Sequence, residues 1–211
     1  MTTLHGFFRS GAAYRTRIAL NLKGIDYDQV SHHLRKGEQR APDYLKLNPQ
    51  GLVPALVLDD GTVLTQSLAI IEWLEETHPA PPLLPKDPIK RAKVRAFSLS
   101  IAADTHPVQN LRVLQNVAKI TGDQEAANAW AKDVNYEGLR AANALIEDEL
   151  GPFCFGNAPT LADLCLVPQV ANARRFGADL SQFARILEAD QASCKHPAFR
   201  DAAPENQPDA E

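Results

Sequence analysis

Apolar positions in the first third of the chain switch repeatedly between the alternation of strands and the spacing of helices. Residues 4–8 form a short apolar segment and read as a strand. Residues 15–23 follow with Ile18, Ala19 and Leu22 on one side, which predicts a helix, and Gly24 supplies its stop. Residues 27–32 read as a second strand, 35–40 as a charged loop and 44–47 as a short helix. The run 52–58 reads as a strand with Pro54 near its start; proline cannot donate to a sheet ladder, so it belongs at a strand's beginning or edge. Asp59-Asp60-Gly61 marks a hairpin turn and 62–64 the returning strand. Residues 66–77 then carry Ile70, Ile71 and Leu74 at helical spacing. Strand-helix-strand followed by strand-strand-helix predicts a small mixed sheet covered by helices.

The pattern changes at residues 78–88, where five of eleven residues are proline. Neither a helix nor a central strand persists through such a stretch. Beyond it only helical periodicity remains: 89–119 with a break or kink at Pro107, then 124–150, 160–176 and 183–194. The tail after Pro204 reads as frayed. The expected organisation is α/β plus all-α: residues 1–80 as a mixed α/β domain, 81–88 as a proline-rich linker and 89–211 as an all-helical domain.

Composition narrows the partners. A net charge of −4 over 211 residues argues against broad nucleic-acid binding. The longest apolar runs fall far short of a membrane span, and Met1-Thr2-Thr3-Leu4-His5 lacks a signal-peptide pattern, so no membrane partner and a cytoplasmic location are expected. Cys154, Cys165 and Cys194 are odd in number and widely spaced. They suit neither a disulfide framework nor a zinc site, and no metal is expected. Cys165, inside an apolar helical run, reads as core.

Two stretches carry candidate chemistry. In the first, Arg9-Ser10-Gly11 joins the first strand to the first helix. Such a junction presents free backbone N–H groups and a partial positive charge, which favour an anion such as a thiolate or a carboxylate. Arg9, Arg15 and Arg17 add charge nearby; a capped helix with solvated arginines would show the same residues. In the second, Thr160 and Asp163 have the spacing of a capping box, which makes Asp163 a packing device before it is a general base.

Four separated motifs, in order, resemble the zeta class of glutathione transferases. They are Arg9-Ser10 with Arg15-Thr16-Arg17-Ile18-Ala19-Leu20; Leu47-Asn48-Pro49-Gln50-Gly51-Leu52-Val53-Pro54-Ala55-Leu56; Gln66-Ser67 with the helix through Glu76; and Leu161-Ala162-Asp163-Leu164-Cys165-Leu166-Val167-Pro168-Gln169-Val170-Ala171-Asn172-Ala173 with Arg175-Phe176. The resemblance spans nearly the whole chain. It implies a thioredoxin-like N-terminal domain followed by a helical glutathione-transferase C-terminal domain, usually as a homodimer. It also implies glutathione as cofactor and, as substrate, a small dicarboxylate keto acid of aromatic amino acid catabolism or aromatic degradation. The implied reaction is cis–trans isomerisation of maleylpyruvate or maleylacetoacetate by thiolate addition, bond rotation and elimination.

Residue by residue, the resemblance implies Ser10 as the group that activates the thiol, with Arg9 and Arg175 as carboxylate anchors and Arg112 as a third. Ser10, Gly11, Gln39, Gln50, Val53, Pro54, Gln66, Ser67, His106 and Asn110 would contact glutathione, Val53 through its backbone beside a cis peptide at Pro54 and Ser67 at a helix start. Arg174 would stay in solvent. Many members carry Ser-Ser-Cys where this chain has Ser10-Gly11-Ala12, so any protein thiol at this turn is excluded. His106, Arg112 and the Ser10-Gly11 turn lean toward maleylpyruvate. The competing readings are a transferase that conjugates or dehalogenates small electrophiles, a non-catalytic binding protein, and a redox enzyme, which would need a cysteine at the first helix start.

Overall fold

The computed structural model describes all 211 residues. They separate into two compact units, Met1–Pro82 with His196–Glu211, and Leu83–Lys195.

The first unit holds a four-stranded sheet in the order β2-β1-β3-β4, with β1 Thr3–Gly6, β2 Asp28–Ser31, β3 Ala55–Val57 and β4 Val63–Thr65. β1 and β2 run parallel, with Leu4 opposite Gln29; β3 is antiparallel to both β1 and β4, with Ala55 between His5 and Thr65. Helix α1, Gly11–Lys23, links β1 to β2 and ends at Gly24 (φ 65°). Helices α2, Pro42–Leu47, and α3, Ser67–Thr77, complete the first 82 residues. Leu4, Ile18, Leu20, Leu56, Ile70 and Leu74 form the core between sheet and helices. Lys23 ties α1 to α3 through a 2.6 Å ion pair with Glu75 and donates to the carbonyl of Pro81 at 2.7 Å.

The second unit is helical: α4 Pro88–Leu99, α5 Leu111–Thr121, α6 Gln124–Leu145, α7 Leu161–Arg175 and α8 Ala184–Lys195. Residues 161–170 of α7 are all buried, and α4, α6 and α8 pack around it. Asp163 accepts the N–H groups of Thr160 and Cys154, both at 2.8 Å, so its buried carboxyl staples the helix start to the preceding loop. That is the packing role expected of it; burial pushes this carboxyl up.

Four expectations change. The charged loop 35–40 is two 3₁₀ turns, Leu34–Lys36 and Glu38–Arg40. The long run from 89 is interrupted earlier than Pro107, by a π turn over Ser100–Thr105. Leu83 and Leu84 of the expected linker are buried in the helical unit, where Leu83 accepts the N–H of Leu161 at 2.9 Å. The tail is not frayed and does not belong to the helical domain. Helix α9, Pro197–Asp201, packs on α1, and Phe199 and Gln207 are buried in the first unit. A short apolar Phe199 and two alanines, Ala202 and Ala203, gave too little periodicity to reveal this.

Candidate functional site

Strand direction brings the candidate residues of the first unit to one edge of the sheet. β1, β2 and β4 all point the same way, and β3 opposes them. The ends of β1, β2 and β4 and the start of β3 therefore share that edge. Ser10 follows β1, His32 and His33 follow β2, Val53 and Pro54 precede β3, and Gln66 and Ser67 follow β4. Sites in open α/β sheets form outside the carboxyl ends of the strands.

Ser10 is the N-cap of α1 (φ −68°, ψ 116°), and its hydroxyl oxygen accepts the N–H of Ala13 at 3.2 Å. The oxygen is thereby oriented, and the hydroxyl donates to no group of the protein. The N–H groups of Gly11 and Ala12, in the first helical turn, have no partner within the helix. This turn is an anion seat built from one free O–H and the helix N-terminus. Arg9 beside it lies over the Phe8 ring at 4.7 Å, with its guanidinium 3.9 Å from the Glu211 carboxylate, which also accepts from His33 at 2.9 Å. Arg15 and Arg17 are not solvated: both are buried. Arg17 donates to the carbonyls of Phe8 (2.9 Å), Phe7 (3.5 Å) and Ala202 (3.0 Å), and burial pulls its guanidinium down to about 10. The turn's accessible cation is therefore Arg9.

Val53 lies outside every strand, and neither its N–H nor its C=O is hydrogen-bonded within the protein. The Val53–Pro54 peptide is cis. The adjoining Leu52 carbonyl is held by two donors, the Tyr44 phenol at 2.6 Å and the Asn48 amide at 2.7 Å. Burial pushes Tyr44 up to about 12, which keeps the phenol protonated and donating. The Gln39 side-chain oxygen is buried and has no partner. Gly51 (φ 61°) comes so near that a Cβ there would stand 3.3 Å from the Gln39 carbonyl. Gln66 donates to Gln50 at 2.7 Å and adopts φ 67°, the only non-glycine residue with positive φ. Such strain collects at functional sites. Gln66 rather than Ser67 is the N-cap of α3; Ser67 is its first residue, buried, at the end where N–H groups are free.

The helical unit holds the other four candidates. His106 closes the π turn, and Asn110 caps α5 by accepting the Val113 N–H at 3.2 Å. Arg112 is exposed on the first turn of α5. Arg175 is exposed near the end of α7, over the Phe176 ring at 4.6 Å, and donates to Asn172 at 2.7 Å. Asn172 donates in turn to the buried Gln109 at 2.6 Å. This chain of amides brings Arg175 to the segment carrying His106 and Asn110. Arg174 is half-exposed yet committed elsewhere, in a 2.7 Å pair with the buried Asp190.

A family model described as the glutathione S-transferase N-terminal domain matches residues 9–77. Across the full chain, the maleylacetoacetate isomerase of Pseudomonas aeruginosa is 46% identical over 208 residues, covering 98% of this chain and 97% of that protein. The chain belongs to the glutathione transferases. A solved maleylpyruvate isomerase, described as a bacterial transferase of the zeta class in its holo form, superposes with a TM-score of 0.96 at 46% identity, covering 99% of this chain and 100% of that one. The maleylacetoacetate isomerase of Methylobacterium extorquens AM1, solved with bound malonate and GSH, superposes at 0.95 with 39% identity and 99% of each chain covered.

In this transferase the thioredoxin-like sheet unit and the helical unit are those the motifs implied. Sequence reasoning missed Tyr44, Asn48, Gln109 and Asn172, which orient the candidate residues without being candidates themselves. Only Asn172 left a trace, standing three residues before Arg175 on the same helix face.

Proposed function

We propose that this transferase is a zeta-class, glutathione-dependent cis–trans isomerase of a maleyl keto acid, maleylpyruvate or maleylacetoacetate. The observation that carries the reading is the sheet edge of unmet hydrogen-bonding groups: the Val53 N–H and C=O, the buried Gln39 oxygen and the Ser10 hydroxyl proton. Those groups fit glutathione. Val53 would pair with its peptide backbone as an added strand does. Gln39 and Gln50 would accept or donate along its length, with Pro54 shaping the loop, and Gln66 with Ser67 would hold its γ-glutamyl carboxylate at the start of α3. His106 and Asn110 are assigned to the same cofactor from the helical unit.

When bound, glutathione supplies the thiolate that adds to the activated double bond and leaves after rotation. Ala12 stands where a protein thiol would be needed, so the chain has none of its own at this turn. Ser10 donates its hydroxyl proton to the sulfur, and the Gly11 N–H and the α1 dipole add positive potential. A helix N-terminus with a donor lowers a thiol from about 8.5 by one unit or more. Arg9, Arg112 and Arg175 take the substrate carboxylates and offset the negative charge that develops toward the keto oxygen. The malonate-bound relative supports a dicarboxylate as substrate class.

The test is product formation from maleylpyruvate and from maleylacetoacetate with glutathione well below substrate. Many fumaryl products per glutathione establish the isomerase; steady consumption of glutathione with a halogenated acid, and no isomerisation, makes the protein a conjugating transferase instead. The ratio of kcat/KM for the two substrates checks the expected preference for maleylpyruvate. The reading extends to a cytoplasmic homodimer on the family pattern, and sedimentation of a two-chain species checks the dimer.

A further inference from the structure

The tail of the chain grips the turn that presents Ser10. Asp209 accepts the backbone N–H of Phe8 at 3.0 Å and the Ser31 hydroxyl at 2.5 Å, both on one carboxylate oxygen. Two residues earlier, the buried Gln207 accepts from Gln29 at 2.9 Å and donates to the carbonyls of Asp201 and Ala203, each at 2.9 Å. Positions 207 and 209 thus meet positions 29 and 31, alternate residues on one face of β2. Arg17 holds the opposite side of the same turn, at the Phe8 and Phe7 carbonyls, and reaches the tail at Ala202. The N–H and C=O of Phe8 are therefore both fixed by side chains from outside the turn. The Phe7 carbonyl also accepts the Ser10 N–H at 3.0 Å.

We infer that Asp209 is a positioning residue for the thiol-activating turn: its carboxylate sets the Phe8 peptide, and through it the direction in which Arg9 and Ser10 face. The turn has no other means of holding the Phe8 N–H, because β1 ends at Gly6 and α1 begins at Gly11. Without Asp209 the Phe7–Phe8 peptide is held only from its carbonyl side, by Arg17 and the Ser10 N–H, so it can tilt, and Ser10, bonded to that carbonyl, moves with it. Oriented donors lose most of their value when displaced by about 1 Å, of the order of 10²-fold in rate. The inference rests on the reading of Ser10 as the thiol's donor.

The experiment compares Asp209→Ala, Asp209→Asn, Gln207→Ala and Ser10→Ala in the full chain, following isomerisation of maleylpyruvate against pH and the ultraviolet absorbance of the thiolate of bound glutathione. Asp209→Ala is expected to lower kcat/KM at neutral pH by about 10- to 100-fold, to raise the pH at which the bound thiolate forms, and to recover as the pH rises. Asp209→Asn, whose amide oxygen can still accept from Phe8, is expected to keep the rate and not to raise the pH at which the thiolate forms; the lost negative charge, which also acts on Arg17, favours the thiolate. Gln207→Ala loosens the tail without touching Phe8 and is expected to lower Tm but not move the profile. Should Asp209→Ala fail to fold, Asp209→Ser, too short to reach Phe8, takes its place. An unmoved thiolate profile in Asp209→Ala overturns the inference, as does an equal shift in Gln207→Ala, which would make the tail a general support. If Ser10→Ala shifts the profile while Asp209→Ala does not, the inference alone fails; if neither shifts it, the reading of Ser10 falls too.

Discussion

Tyr44 and Leu52 are joined by a 2.6 Å hydrogen bond in which the phenol donates to the backbone carbonyl. The bond fixes the peptide immediately before Val53, whose own N–H and C=O stay unpaired. Tyr44→Phe keeps the buried ring and leaves the Asn48 amide on the same carbonyl at 2.7 Å. One net hydrogen bond is worth about 1 kcal/mol, or roughly five-fold in affinity. The expected result is a rise of that order in the KM for glutathione, with the KM for the keto acid unchanged. Equal rises in both, measured by varying each in turn, would sink the assignment of Val53 to the cofactor.

Ser10→Ala removes two things at once. The N-cap bond to Ala13 is worth about 1 kcal/mol of stability, since an alanine leaves that N–H unmet. The lost hydroxyl donor costs about 10²–10³ in kcat, the usual toll of deleting one preorganised donor to a developing charge. Ser10→Thr restores the cap and the donor together. A Ser10→Ala enzyme that loses stability yet keeps its rate would show that Ser10 is a cap and nothing more.

The reach of the sequence followed the physics of each signal. Alternation, Pro54 and the Asp-Gly turn made the sheet unit legible, and the spacing from Leu161 onward made α7 legible, because period and turn chemistry are local. The candidate residues on motifs could be named one by one. What supports them could not. Asp209 lies 201 positions from Phe8, and Asn172 lies 63 from Gln109; neither contact leaves a local pattern. The burial of Arg15 and Arg17 was invisible for a different reason. A guanidinium with carbonyl partners can go inside, and those carbonyls belong to segments that meet only in the fold.

His5 and His32 share a 2.9 Å hydrogen bond between ring nitrogens and stack at 5.2 Å, with the Tyr44 ring 4.3 Å from His32. Burial lowers both; the neighbouring ring lowers His5 further, and Glu38 partly opposes the shift at His32. The fold therefore resists protons that the unfolded chain accepts at about pH 6.5. Stability is complete above that value and falls as the pH drops through it, because the unfolded state then binds more protons. Thermal unfolding from pH 8 to pH 5 should show this loss, and His5→Gln should lessen it, leaving the part that the burial of His32 supplies. A native-like slope in His5→Gln would exclude His5 as a source.

Gly138 on α6 faces Thr105, the last residue of the π turn that leads into His106. A Cβ at 138 would stand 2.9 Å from the Thr105 Cβ and closer still to its hydroxyl and methyl groups. Thr105 is itself held by a 2.8 Å bond to the Ser100 carbonyl, so it cannot swing aside without breaking the turn. Gly138→Ala is expected to cost about 1–3 kcal/mol, the range for overpacking. Gly138→Ala with Thr105→Ser, which removes the methyl group, should recover part of it in a urea titration. No recovery would place the strain elsewhere in α6.

Arg175 is held in part by a relay. It donates to Asn172 at 2.7 Å, and Asn172 donates to the buried Gln109 at 2.6 Å. Arg175→Ala removes a carboxylate anchor and is expected to raise the KM for the keto acid by about ten-fold or more, the weight of a charge-assisted bond. Asn172→Ala leaves the charge in place but removes one of its holds, so the KM should rise by less. The same change leaves the Gln109 oxygen without its partner, a cost to stability of about 1–3 kcal/mol. Groups that act through one another are not additive. Once Arg175 is alanine, Asn172 has nothing to orient, and the double variant should match Arg175→Ala in KM while keeping the stability loss of Asn172→Ala. Rises in KM that simply multiply would mean that Asn172 meets the substrate by its own contact, and the relay would end at Gln109.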